Sequence, residues 1–375
     1  FGFEPECGGW AMLEYLDGSQ SLAKHWNACV DEVMLSENQH QVLQKALVGL
    51  ARLHAQGLWQ EDTHLDNFLL KQGVLYTIDG GGIVQQKDGV LTDAQALANL
   101  AVFFAQLPVT TYAHLAELLQ DYQSVRPDTE LPLARLRVEI EKVREWRVKD
   151  YLKKTARDCT LFHANKDTNG VTVIQRSCMD EVKALIDQPD VFIAQGHIYK
   201  TGGAATVALV EHQQQNWIIK RYNIKSFRHR LSRCWRPTRA WHSWQAAHRL
   251  QILGIPVMNA VAVKEQRKLG LRYTAWLVCE QSGTQDLVER FAPYVENGNV
   301  PETDLRQLSE LLNSLIREKI SHGDLKGHNI LWHNDQPLLI DLDAVRAHRC
   351  LKSFKRAFKR DRARLLRNWP SDSPL

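Results

Sequence analysis

Residues 320–345 read ISHGDLKGHNILWHNDQPLLIDLDAV. The polar start reads as a loop, 330–332 as a short apolar strand, 334–337 as a turn and 338–340 as a second strand ending on Asp341. A hairpin of this kind carries Asp324, Asn329 and Asp341 to the mouth of one cleft. Phosphoryl transfer needs that set: one carboxylate accepts or orients the nucleophile's proton, while an amide and a second carboxylate hold Mg²⁺ on the phosphates. Lys326, two residues after Asp324, can offset charge on the transferring group. Asp343, two beyond Asp341, can help with a second metal ion.

The same pattern is written twice. Residues 50–83, LARLHAQGLWQEDTHLDNFLLKQGVLYTIDGGGI, align without a gap on 312–345 at a constant offset of 262. Leu50 falls on Leu312, Asp62 on Asp324, Asn67 on Asn329 and Asp79 on Asp341. The spacings of five residues from Asp to Asn and 17 from Asp to Asp recur in both copies. Asp62, Asn67 and Asp79 are therefore a second candidate constellation.

Upstream of the C-terminal copy, 193–223 alternates as a β-hairpin whose last strand ends I-I-K-R-Y, with Lys220 lying 104 residues before Asp324. A strand lysine at that remove suits the α- and β-phosphates of a nucleotide. Gly202 and Gly203, in the preceding turn, can cover phosphates with backbone N–H groups, although a plain hairpin turn explains them as well. A helix is expected over 240–253, stopped by Gly254 and Pro256. Strands are expected over 257–263 and 274–279, a hinge at Cys279, Glu280 and Gln281 facing an adenine, and a helix over 304–317. In the first copy, residues 10–16 (WAMLEYL) read as the hinge strand, with Glu14 corresponding to Glu280. Subtracting 262 from 220 gives −42, so the first copy's nucleotide half is expected to lie outside the chain, which then reads as a piece of a longer tandem protein. Helices over 97–119 and 133–153 close the first lobe.

With these residues in hand, the chain resembles the lipopolysaccharide kinase family, enzymes of protein-kinase-like fold that phosphorylate inner-core sugars of lipopolysaccharide. The resemblance rests on residues 218–257 (IIKRYNIKSFRHRLSRCWRPTRAWHSWQAAHRLQILGIPV), SHGDLKGHNIL (321–331) and LLIDLDAV (338–345), and on EDTHLDNFLL and YTIDGG in the first copy. It implies an α+β, protein-kinase-like two-lobe fold: a helical lobe over 1–153, a joint over 154–190, and a complete domain over 191–375 with its small lobe at 191–280 and its helical lobe at 281–375. It further implies ATP and Mg²⁺ as cofactors, Lys220 on the ATP phosphates, Asp324 as base, and Asn329 with Asp341 on Mg²⁺. Asp62, Asn67 and Asp79 would take the last three roles in the first copy. Two departures stand out. Kinases pair the strand lysine with a helix glutamate, but RAWHSWQAAHRL has no carboxylate and the aligned position is Ser243. In the first copy, Gln60-Glu61-Asp62 replaces the usual triplet and three glycines follow Asp79, which leaves a non-catalytic role open there.

Charge divides unevenly: 12 Lys+Arg against 21 Asp+Glu in residues 1–150, and 35 against 22 in the remainder, within an overall balance of +4. The basic half calls for an anionic partner. Its two basic tracts, 220–239 and 352–369, fit a lipopolysaccharide core, another anionic glycolipid or the cytoplasmic face of the inner membrane, although a solvated helix face explains the second tract equally. No nucleic-acid module is recognised. The longest apolar run, 98–107, is too short to span a bilayer. Seven cysteines stand singly with no C-x-x-C pair, which suits a reducing, cytoplasmic setting. Rival readings are a protein or small-molecule kinase on the same scaffold, and a non-catalytic scaffold that keeps the fold.

Overall fold

The computed structural model describes residues 2–4, 8–10, 15–29, 35–86, 89–203, 205–223, 237–268, 271–296 and 298–370. Glu14 and residues 224–236 of the first basic tract lie outside them. The chain forms two compact units, Phe1–Arg147 and Val148–Leu375.

The second unit is built on a seven-stranded antiparallel sheet. Its strands run in the order His197–Lys200, Ala205–His212, Gln215–Tyr222, Leu271–Glu280, Ala260–Lys268, Gly170–Gln175, Phe162–Asp167. The two-residue period of Gln215–Tyr222 sorts its side chains. Trp217 and Ile219 pack with Val182, Leu185 and Ile186 of the helix Met179–Asp187. Ile218, Lys220 and Tyr222 share the opposite face, where Ile218 and Tyr222 join the cluster of the helix Arg239–Ile252. That periodicity is what sends Lys220 to the working side of the sheet.

The expectation of a joint over 154–190 is corrected. Those residues carry the strands Phe162–Asp167 and Gly170–Gln175 and the helix Met179–Asp187. GVTVIQ is a β-branched strand that pairs with Ala260–Lys268, and Phe162 at 2 % exposure sits among Trp244 and Val263. The segment is thus part of the second unit's core.

The helix Glu302–Arg317, the hairpin Ile330–His333/Gln336–Leu339 and the helix Leu351–Leu366 continue the same core through Leu311, Leu315, Ile330, Leu339 and Leu365. Backbone bonds from Met258 N to Leu339 O (3.0 Å) and from Leu339 N to Pro256 O (3.1 Å) tie the hairpin to the sheet side.

In the first unit the helix Glu37–Ala55, capped by Ser36, packs against Asp93–Phe104 and Leu115–Gln123 around Leu43, Leu47, Leu50, Phe103 and Tyr122. The single helix expected over 97–119 is broken. Pro108 has no N–H to continue it, and a 3-10 segment, Val109–His114, intervenes. The helix expected over 133–153 is found as Leu133–Lys154.

The two aligned stretches follow one backbone path. The 3-10 turns Leu65–Asn67 and Gly327–Asn329, the strand pairs Phe68–Lys71/Val74–Thr77 and Ile330–His333/Gln336–Leu339, and the turns Gly80–Gly82 and Leu342–Ala344 all keep the offset of 262. So do the left-handed residues: Gly57 and Lys319, Gln72 and Asn334, Gly73 and Asp335, Asp79 and Asp341.

Candidate functional site

Asp324 stands in the loop between the strand Ile320–Ser321 and the turn Gly327–Asn329. The loop is held from below by Asp361, a carboxylate 1 % exposed on the helix Leu351–Leu366. Its oxygens accept the backbone N–H groups of His322 (2.8 Å) and Gly323 (3.0 Å). Gly323 has φ +80°, and a Cβ there would stand 2.5 Å from Ala344 O, so only glycine fits. Burial holds the His322 imidazole below its ordinary pKa, and the neutral ring donates from Nε2 to Ile340 O at 2.9 Å. Above the loop, Lys326 Nζ donates to Asp324 Oδ2 at 3.0 Å. Arg364 Nε lies 3.6 Å from Asp324 Oδ1, and its guanidinium also donates to Gly323 O. Asp324 is thus flanked by two cations.

Asn329 donates from Nδ2 to Asp324 O at 2.8 Å, which leaves its amide oxygen as the ligand atom. Asn329 O accepts the N–H of Ile340 at 3.0 Å, so the amide and the second carboxylate ride on one hairpin. Asp341 has φ +55°, the left-handed region that non-glycine residues seldom occupy. Burial works to raise its carboxyl pKa, but Lys220, with a further contribution from Lys200, carries it below the usual carboxylate range.

Lys220 reaches across from the sheet. Its Nζ lies 2.5 Å from Asp341 Oδ1 and 3.0 Å from Asp343 Oδ1. Burial opposes its charge, but Asp343 and Asp341 outweigh burial and raise its pKa. The lysine therefore has its acid, although the helix offers none.

Asp343, expected to help with a second metal ion, has other partners in the structure. Its Oδ1 already accepts from Lys220, from Tyr222 OH at 2.8 Å and from Ser243 Oγ at 2.8 Å. Its Oδ2 faces Arg239 Nη1 at 3.9 Å. A carboxylate so surrounded by cations and donors is a poor metal ligand. Asn329 and Asp341, both oxygen donors, do fit a small hard cation that keeps its remaining ligands from water and phosphate.

Gly202 and Gly203 form an exposed turn at φ +84° and +60°, open enough that a Cβ would meet nothing within 4 Å. The hinge expectation is narrowed. The amide of Glu280 donates to Asn259 O and that of Gln281 to Asn216 O, both at 3.0 Å, so neither is the donor an adenine would meet. Cys279 is buried in mid-ladder, and burial pushes its thiol up to about 12. Its side chain is part of the core.

In the first unit Asn67 donates from Nδ2 to Asp62 O at 2.9 Å, and Gln60 Nε2 donates to Ile78 O at 2.9 Å, standing where His322 stands in the other copy. Asp62 is exposed, with Arg147 at 4.0 Å, and Asp79 is exposed with no ion pair among the described residues.

Sequence reading missed Asp361, Arg364, Tyr222, Ser243 and Arg239 as parts of the site. Asp361 had a visible signal: it is the single acid of a cationic helix and falls on the apolar stripe of Phe354 and Leu365.

Residues 193–373 match the lipopolysaccharide kinase (Kdo/WaaP) family, and no part of that match falls on the first unit. No curated protein matches the chain. A solved structure of WaaP in complex with acyl carrier protein is similar over 52 % of this chain and 79 % of that one, at 22 % identity and a TM-score of 0.39. The strand lysine, the catalytic-loop hairpin and the family match coincide in one stretch. Residues 193–373 are thus similar to the lipopolysaccharide kinase (Kdo/WaaP) family.

Proposed function

We propose that the second unit transfers the γ-phosphoryl group of Mg·ATP to a hydroxyl of a lipopolysaccharide inner-core sugar. The observation that carries this reading is the Lys220–Asp341 contact, which closes the sheet side onto the catalytic hairpin within the family-matched span. ATP supplies the phosphoryl group when bound, and Mg²⁺ offsets its charge, with Asn329 and Asp341 as the residues suited to hold the metal. Lys220 then turns to the α- and β-phosphates. Asp324 takes the proton of the acceptor hydroxyl as the new oxygen–phosphorus bond forms and the bond to ADP breaks. Lys326 and Arg364 offset negative charge at the transferring group.

We assign the first unit to a related helical lobe without its own catalysis, because Asp79 has no cation opposite it among the described residues and Gln60-Glu61 replaces His322-Gly323. The outer face of the helix Leu351–Leu366 is assigned to the anionic cytoplasmic surface of the inner membrane. Seven cations from Lys352 to Arg367 are exposed on that helix and the residue following it, and its single acid is buried.

The test is transfer of labelled phosphate from ATP to purified core oligosaccharide. Asp324→Ala should lower the rate by about 10²- to 10⁴-fold, whereas Asp62→Ala should leave it unchanged. Transfer to protein or to small alcohols but not to the oligosaccharide would replace this reading with one of its rivals.

A further inference from the structure

We infer that Asp343 is the positioning residue for Lys220, doing from the catalytic turn what a helix carboxylate does elsewhere, with Ser243 as its latch to the helix. The inference rests on the kinase reading above and concerns residues that reading leaves without a role.

The geometry is specific. One oxygen of Asp343 accepts hydrogen bonds from two structural elements at once: Lys220 and Tyr222 of the strand Gln215–Tyr222, and Ser243 of the helix Arg239–Ile252. The carboxylate itself comes from the turn Leu342–Ala344, anchored by the fully buried Leu342. The helix meets that turn a second time, where His242 Nε2 donates to Val345 O at 2.9 Å. Tyr222 OH also reaches Ser243 Oγ at 3.3 Å, so the three side chains around Asp343 form a closed set. Burial, with Asp343 beside it, raises the Tyr222 phenol well above its usual pKa and keeps it a donor.

Asp341 and Asp343 hold Lys220 from two sides but differ in what else they bear. The side-chain partner of Asp341 is Lys220, so a metal ion can take it over. Asp343 is held by the strand, the helix and Arg239, so it stays when Asp341 turns to the metal. The ammonium keeps one fixed anion while its other side opens to a phosphate. Serine at 243 follows directly: a glutamate in the helix would set a second carboxylate against Asp343.

The experiment uses the full chain and three readouts: KM for ATP, the Mg²⁺ activation midpoint, and the rate at which Lys220 is acylated by acetic anhydride, followed by mass spectrometry. Asp343→Asn keeps the acceptor for Tyr222 and Ser243 but removes the charge. KM for ATP should rise about ten-fold or more. Acylation of Lys220 should quicken about as much, because the ammonium loses the fixed anion that holds it. The Mg²⁺ midpoint should not move. The double variant Asp343→Ala with Ser243→Glu should bring both ATP affinity and lysine protection back to within a few-fold of the parent. A shifted Mg²⁺ midpoint with unchanged lysine reactivity would make Asp343 a metal ligand and overturn the proposal, as would failure of the double variant to recover. Acylation reads the ion pair without turnover. A parent chain that transfers no phosphate, yet shows the acylation change, would refute the kinase reading and leave the pair standing.

Discussion

Two buried histidines respond to acid in the same way, one in each unit. His54 lies between Tyr122 OH (2.8 Å) and Asn99 Oδ1 (3.0 Å), and His248 packs edge-on against Trp244 at 4.1 Å. Burial lowers both imidazoles from 6.5 to about 4. The unfolded chain therefore takes up protons before the folded one does. The stability of the neutral rings is complete above 6.5 and is lost as pH falls from there toward 4. Between about pH 7.5 and about pH 5 each ring should withdraw about 2 kcal/mol, measured by urea denaturation. His248→Gln should flatten that slope for the second unit alone, and an unchanged slope would refute the assignment. That Asp324, Asn329 and Asp341 belong together was legible in the sequence, because they are fixed to one another by a short loop and a hairpin. Asp343's partners were not, since Tyr222 and Ser243 meet it from more than 90 residues away and ordinary hydroxyls carry no motif.

Among elements, the repeated hairpin offers an internal control. Both helices that precede it, Glu37–Ala55 and Glu302–Arg317, are followed by a left-handed residue, Gly57 at φ +72° in one copy and Lys319 at φ +51° in the other. A side chain in that region costs about 1 kcal/mol that glycine avoids. Lys319→Gly should accordingly stabilise the second unit by about 0.5–1 kcal/mol, seen as a higher urea midpoint with catalysis intact. The reverse exchange cannot work, because a Cβ on Gly57 would fall 1.6 Å from Gly89 O. Helices with clear stops were readable in advance: Gly254 follows the end of Arg239–Ile252 as expected, and the structure adds Thr238 as the cap at its start. The strands of 162–175 were not, because a short strand gains its identity from the neighbour it pairs with, and Ala260–Lys268 lies some 90 residues on.

Across the whole molecule, charge is laid out by unit, acidic in residues 1–150 and basic beyond. The apolar stripe of the last helix, Phe354, Ala357 and Leu365, is buried, so the helix docks on its own unit by that side. The outer side remains a band of cations with no ion pair among the described residues, with Leu351 and Leu366 each 51 % exposed at its ends. No helix among the described residues is long and apolar enough to cross a membrane. Binding to a bilayer through the outer band of cations would be electrostatic. Vesicles containing phosphatidylglycerol should retain the protein at low salt, and vesicles of phosphatidylcholine should not. Reversing Lys355, Arg356 and Lys359 to glutamate should weaken retention by about a hundred-fold or more, as about 1 kcal/mol per cation implies. Salt-insensitive retention by both vesicles would refute it.

That helix has two faces with different work. Asp361 on the inner face holds the amides beside Asp324, and Arg364 reaches Asp324 itself, while the cations stand on the outer face of the same rod. A chain resting on a lipid sheet by this rod would have its base fixed at a set height above the headgroups. The search for acceptors would then run in two dimensions, and velocity would follow the acceptor's crowding in the surface rather than its amount in the tube.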